Sequence, residues 1–169
     1  RNTTQNEWMV IVVFAVNDES IINPLLEFIE TQFPEITSLN YIFNDKKNDS
    51  IFDRDVVLFK GKPYITEKID QLQFRISPKS FFQTNSRQAS KLYAVTKEFA
   101  SLTGIENVYD FYSGAGTISN FVANGASKVI GSEHVDDAVK DAKSNSEINN
   151  ILNTQFVAGD LKDVFKSDF

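Results

Sequence analysis

The sequence predicts an α/β fold built on a parallel sheet, preceded by a small α+β unit with antiparallel strands. Three observations carry this reading. In the second half of the chain, short apolar runs alternate with stretches of helical periodicity. A glycine turn separates the first run from its helix, in VYDFYSGAGTI from Val108 to Ile118. Acids stand at the ends of three successive runs: Asp110, Glu133 and Asp160. Alternation of this kind implies parallel βαβ units with right-handed crossovers. The carboxyl ends of such strands are where nucleotide-like ligands sit in doubly wound sheets.

Composition sets the outer limits. The 169 residues suffice for one ordinary domain or two small ones, and 15 phenylalanines promise a filled core. The chain has no cysteine, so it can form no disulfide, Cys-based metal site or thiol nucleophile of its own. No metal site is expected in it. A net charge of −6 argues against a stand-alone nucleic-acid binder, though one surface could still be basic locally. No apolar run approaches the roughly 20 residues that span a bilayer, so no membrane partner and a cytoplasmic setting are expected. The sequence starts at Arg1 and stops at Phe169 in mid-pattern, and so reads as a piece of a longer protein.

Residues 1–76 read as the α+β unit. Trp8 to Val16 is a β-branched and aromatic run, best placed as a buried strand. Asn23-Pro24 predicts an N-cap with proline in the first helical position. Leu25, Leu26, Phe28 and Ile29 follow at helical spacing, and Pro34 ends that helix. Leu39 to Phe43 is a strand. Val56–Phe59 and Tyr64–Ile69 flank Gly61-Lys62, which predicts a hairpin, and Leu72 to Ile76 adds a strand.

Residues 77–169 read as the parallel domain. Asn85 or Ser86 caps a helix carrying Ala89, Leu92, Tyr93, Val95, Thr96, Phe99 and Ala100 on one broad face, with Gly104 expected just past its end. Strands are predicted at 107–111, 128–133 and 154–158. Helices are predicted from Thr117 to Asn124 and from Val135 to Asn149, the latter with Val135, Ala138, Val139 and Ala142 inward. A full doubly wound sheet needs more strands than these.

Gly114 and Gly116 let backbone approach a ligand where a Cβ would collide. The dinucleotide fingerprint wants a third glycine, but Ser119 stands in its place, so a ligand without a pyrophosphate fits better. Glu133 is placed to accept ribose hydroxyls, and Asp160 to accept from an adenine amino group. Asp110 is placed to orient the turn or to attract a cation. The alternative for each acid is an exposed loop residue or a helix cap. An anionic row with no phosphate-binding lysine suits S-adenosylmethionine, whose sulfonium is positive. The segment ISPKSFFQTN sets Gln83 and Asn85 at the mouth of the next helix, and a plain linker is the competing reading. His134 reads as a solvated residue at a helix start. The scattered Lys46, Lys47, Lys60, Lys62 and Lys68 carry only a weak nucleic-acid signal.

At these residues the chain resembles the S-adenosylmethionine-dependent RNA uracil-5-methyltransferases, which make 5-methyluridine in transfer and ribosomal RNA. ISPKSFFQTNSRQASKLY, VYDFYSGAGTIS, VIGSEHVDDAVKDAKSNSEINNI and FVAGDL match that family's motifs in order. The likeness is close over residues 70–165, and residues 1–70 resemble the family's central domain. It implies a Rossmann-like class I methyltransferase domain, truncated at its C-terminus. It also implies S-adenosylmethionine contacts from Gln83, Tyr112, Gly114, Thr117, Glu133 and Asp160, and an RNA partner for the full-length protein. Ser113 stands where many members have cysteine.

In that family a thiolate adds to uracil carbon 6, the resulting enolate takes the methyl group, and a carboxylate removes the proton from carbon 5. The residues that do this are expected beyond Phe169, so no catalytic residue is assigned here and the chain alone is expected to be inactive. Two other readings are a class I methyltransferase acting on protein or a small molecule, and a non-catalytic RNA-binding module.

Overall fold

The apolar run WMVIVVF forms strand β1 (Trp8–Phe14), and helix α1 (Glu19–Gln32) carries the chain back across it. The structure, a computed structural model, describes residues 3–159. Strand β2 (Ile36–Phe43) consequently lies parallel to β1, with Met9 opposite Ser38 and Phe14 opposite Phe43. A crossover helix permits this pairing where a tight turn would not, and it departs from the antiparallel expectation for these two strands. Strand β3 (Val56–Gly61) pairs antiparallel on the other side of β2, giving the order β1-β2-β3.

Helix α1 starts earlier than Asn23-Pro24 suggests. Asp18 caps it, accepting the Ser20 N–H at 2.9 Å, and Pro24 lies inside the helix, where it removes one backbone donor. Ile22 and Leu26 face Leu39 of β2, with Val10, Val12 and Ile29 packed around them. Leu26 is fully buried, which is worth about 1.5–3 kcal/mol relative to exposure. Leu25 and Phe28, which share the helical spacing read from the sequence, are exposed.

Gly61-Lys62 turns no hairpin. Gly61 ends β3 in a left-handed conformation (φ +84°) where any Cβ would collide with the Thr37 carbonyl, and the strand stays with β2. The two-stranded pairing joins β4 (Ile65–Ile69) to β5 (Leu72–Ile76).

Helix α2 (Ser86–Ala100) is capped by Asn85, whose Oδ1 accepts the Gln88 N–H at 3.1 Å. It ends at Ser101, which takes the left-handed conformation expected of Gly104. The rest is β6 (Asn107–Phe111), α3 (Thr117–Val122), a 3₁₀ turn at Ala123–Gly125, β7 (Lys128–Glu133), α4 (Asp136–Ile148) and β8 (Thr154–Ala158). The three strands are parallel in the order β6-β7-β8, with Val108 beside Val129 and Val129 beside Thr154. Among the described strands β7 is the buried middle one, and β6, which has one neighbour among them, exposes Tyr109 and Phe111. Val122, Ala123, Ala126 and Val129 form one core cluster, and Val139, Ala142 and Phe156 another. Of the predicted α2 face, Ala89 and Tyr93 are buried, but Leu92, Val95 and Phe99 are exposed.

The described chain divides into two compact units, residues 3–66 with 77–79 and residues 67–76 with 80–159. The segment 67–76 thus falls in the second unit, whereas the sequence reading put it in the first. The cause is a long-range pairing: Asn145 and Asn149 of α4 hydrogen-bond the backbone of β5 at Arg75 and Gln73. Among the described residues, no helix is long and apolar enough to cross a membrane.

Candidate functional site

The site forms where β6 runs into α3. The chain leaves the strand through Tyr112, Gly114 and Gly116, all at positive φ (62°, 54° and 72°). A tyrosine in this region is uncommon and disfavoured, and such strain gathers where a backbone shape is needed for function. The Ser113 N–H donates to the Ser132 carbonyl of β7 at 3.0 Å, and the Gly116 N–H closes the turn on the Ser113 carbonyl at 2.9 Å.

The two glycines do different work. A Cβ on Gly116 would lie 2.8 Å from the Phe156 ring and 2.9 Å from the Ala142 methyl, so Gly116 lets the helix start pack on the core. Among the described residues, a Cβ on Gly114 would meet nothing within 4 Å. Gly114 therefore faces open space, with the Tyr112 side chain exposed beside it.

Two carboxylates hold this turn. Glu133, at the end of β7, accepts the Gly114 N–H on Oε2 at 2.9 Å. Its Oε1 accepts the N–H groups of His134 and Val135 at 2.8 and 3.0 Å, which ties down the segment that leads into α4. Asp110 accepts the Ser119 N–H and hydroxyl at 3.1 and 2.6 Å, supplying the cap that Gly116 cannot give α3. Burial pushes the Asp110 carboxyl above its ordinary range; Ser119 pulls the other way, and the charge of Glu133 adds to the rise. Ser119 is thus a partner of the turn and more than a missing glycine.

Of the residues expected at the site, Tyr112, Gly114 and Glu133 stand together. Thr117 opens α3, with its hydroxyl 3.2 Å from that of the buried Tyr93. Gln83 lines a groove along the start of α2 with Asn85, Gln88 and Lys91. Asp160 lies outside the described residues. The sequence reading overlooked Asn120, Asn145 and Ser146, which are buried beneath the turn. The signal for the last two was polar residues continuing the inward face that Ala138, Val139 and Ala142 begin. Among the described residues, no group of His, Cys, Asp and Glu is arranged to hold a metal.

This fold, with its glycine turn and acid-tipped second strand, is that of a Rossmann-like class I methyltransferase. By sequence, the chain is similar to a set of RNA methyltransferases. It is 52% identical over its whole length to an uncharacterized RNA methyltransferase of Porphyromonas gingivalis, and spans 36% of that protein. It is 51% identical to another from Bacteroides thetaiotaomicron, again over its whole length and 38% of the relative. Among solved structures it resembles the Pyrococcus abyssi tRNA (uracil-54, C5)-methyltransferase in complex with S-adenosyl-L-homocysteine. That match has a TM-score of 0.75 and 30% identity, over 95% of this chain and 38% of the other. The Methanocaldococcus jannaschii tRNA m1G37 methyltransferase, at 17% identity and TM-score 0.54 over 95% of this chain and 48% of that one, shares the fold. No family model matches the chain. The chain spans about a third of the length of the curated relatives it matches.

Proposed function

We propose that the protein methylates carbon 5 of a uracil in transfer or ribosomal RNA, with S-adenosylmethionine as donor, and that this chain supplies the donor-binding half. The observation that carries the reading is the Glu133 carboxylate joined to the Gly114 N–H at the edge of open space. The similarity to a uracil-C5 methyltransferase with S-adenosyl-L-homocysteine bound supports the same choice.

The residues present fit such a donor. A carboxylate offers about four acceptor positions, and three on Glu133 are taken by backbone donors. One remains on Oε2 for a ribose hydroxyl. The sequence reading gave Glu133 two hydroxyls, and the geometry favours one. Asp110 and Glu133 make the turn anionic, which suits a cationic sulfur and opposes a phosphate. The bound donor would supply an electrophilic methyl group on that sulfur. Tyr112 would pack on its methionine or adenine part, Gly114 would admit it close to the backbone, and Thr117, Gln83 and Asp160 would complete its contacts. The chain has no cysteine, so a thiolate that adds to carbon 6 must come from elsewhere.

Titration calorimetry of the full chain with S-adenosylhomocysteine tests the assignment. A charge-assisted bond is worth about 1.5–3 kcal/mol, so Glu133→Ala should weaken binding on the order of tenfold to a hundredfold. Glu133→Gln keeps one carbonyl acceptor and should lose less. Unchanged affinity in Glu133→Ala, with circular dichroism matching the parent, would reduce this acid to a brace for the loop backbone at Gly114, His134 and Val135.

A further inference from the structure

We infer that Asn145 is a positioning residue for the donor turn, holding its backbone from behind through the Ala115 carbonyl; this rests on the donor-binding reading above. Asn145 lies on α4, fully buried, one turn beyond Ala142. Its Oδ1 accepts the Arg75 N–H at 2.7 Å. Its Nδ2 donates to the carbonyls of Arg75, at 3.2 Å, and Ala115, at 3.0 Å. Toward β5 the carboxamide thus behaves as one peptide unit of a neighbouring strand would. Its second donor reaches the residue between the two turn glycines.

The adjacent carbonyl is held in the same way. Asn120 Nδ2 donates to Gly116 O at 2.8 Å, and Ser146, next to Asn145, donates to Asn120 Oδ1 at 2.8 Å. Asn120 and Ser146 are buried too. The carbonyls of Ala115 and Gly116 are therefore tied to side-chain amides in the interior, while the Gly114 N–H is tied to Glu133. A peptide plane fixed at its oxygen is fixed at its N–H as well. Such support keeps a binding turn in one shape before a ligand arrives.

Asn149 provides an internal control. Its Oδ1 accepts the Gln73 N–H at 2.9 Å, and its Nδ2 donates to the carbonyls of Gln73 and Asn145 at 2.6 and 2.7 Å. It clamps β5 as Asn145 does, and its second amide bond goes to its own helix, away from the turn. Replacing either asparagine with aspartate turns a carboxylate oxygen toward two carbonyls. Only Asn145→Asp puts that repulsion on the turn.

The test compares Asn145→Asp with Asn149→Asp in the full chain, by amide hydrogen exchange without ligand and by calorimetry with S-adenosylhomocysteine. Asn145→Asp should speed exchange of the Gly114 and Gly116 amides and weaken binding by about tenfold, the scale of one buried hydrogen bond. Asn149→Asp should speed exchange at Gln73 and leave affinity within about twofold. If aspartate unfolds either variant, Asn145→Ala and Asn149→Ala make the same comparison without the charge. Equal effects on the turn from both positions, or none from Asn145, overturn the inference. Failure of the parent chain to bind S-adenosylhomocysteine would defeat the donor reading, while the exchange comparison would still decide whether Asn145 holds the turn.

Discussion

The Ser113 hydroxyl is buried without a hydrogen-bond partner among the described residues, in the turn proposed to hold the donor. It faces Gly131 closely enough that a Cβ there would sit 2.9 Å from Oγ. A buried hydroxyl left unpaired costs about 1–3 kcal/mol, whereas a thiol tolerates apolar surroundings. Ser113→Cys should therefore stabilise the chain by about 1 kcal/mol, read as a higher urea midpoint at unchanged slope. A lower midpoint would mean that the larger sulfur is too crowded by its neighbours. Glu133 was identifiable in the sequence because an acid closing the second strand is a local pattern. How many of its acceptor positions remain open was not, since that depends on three N–H groups the fold brings to it.

At the scale of the turn, Gly114 and Gly116 look alike in sequence and should respond differently to substitution. Both have positive φ, so alanine at either costs about 1–2 kcal/mol in backbone conformation. Gly116→Ala also drives a methyl into Phe156 and Ala142, adding about 1–3 kcal/mol of overpacking. Gly114→Ala meets no neighbour and projects its methyl into the space assigned to the donor. Thermal melts should thus fall more for Gly116→Ala, and calorimetry with S-adenosylhomocysteine should show the larger loss per degree of melting for Gly114→Ala. The reverse ranking would place the donor on the other side of the turn. Helix starts show the same dependence on context. Asn85 caps α2 as its sequence suggests, while Asp18 displaces Asn23 because it already satisfies the Ser20 N–H.

For the whole chain, two acids give stability opposite dependences on pH. Glu106, in the loop before β6, accepts the Thr103 hydroxyl and the N–H groups of Thr103, Gly104 and Ile105. These bonds, the Thr103 hydroxyl first, hold its pKa at about 2. A carboxyl lowered on folding adds stability above its unfolded value near 4.3, and that stability is lost as pH falls toward the folded one. Asp110 is raised, mainly by burial, so its contribution is present below its unfolded value and declines as pH rises through the folded one. Chemical denaturation between about pH 5 and pH 3 should show stability falling, with a shallower slope in Glu106→Gln. An unchanged slope would assign the acid sensitivity to other carboxylates.

Much of the second unit could be read directly from the sequence: the order of strands and helices, the glycine turn and the acid of the second strand. Those features come from short-range chemistry, namely apolar periodicity, capping residues and glycines that permit positive φ. Residues 1–76 were read less well because their outcome depends on partners far along the chain. A parallel β1–β2 pair depends on how α1 crosses over, and β3 has no local signal for choosing β2. The same limit hid Asn145, a polar residue on an inward face whose use appears only when β5 and Ala115 are folded against it. It also hid the difference between the two glycines, because Phe156, 40 residues beyond Gly116, fills the space behind one of them and no described residue fills the space before the other.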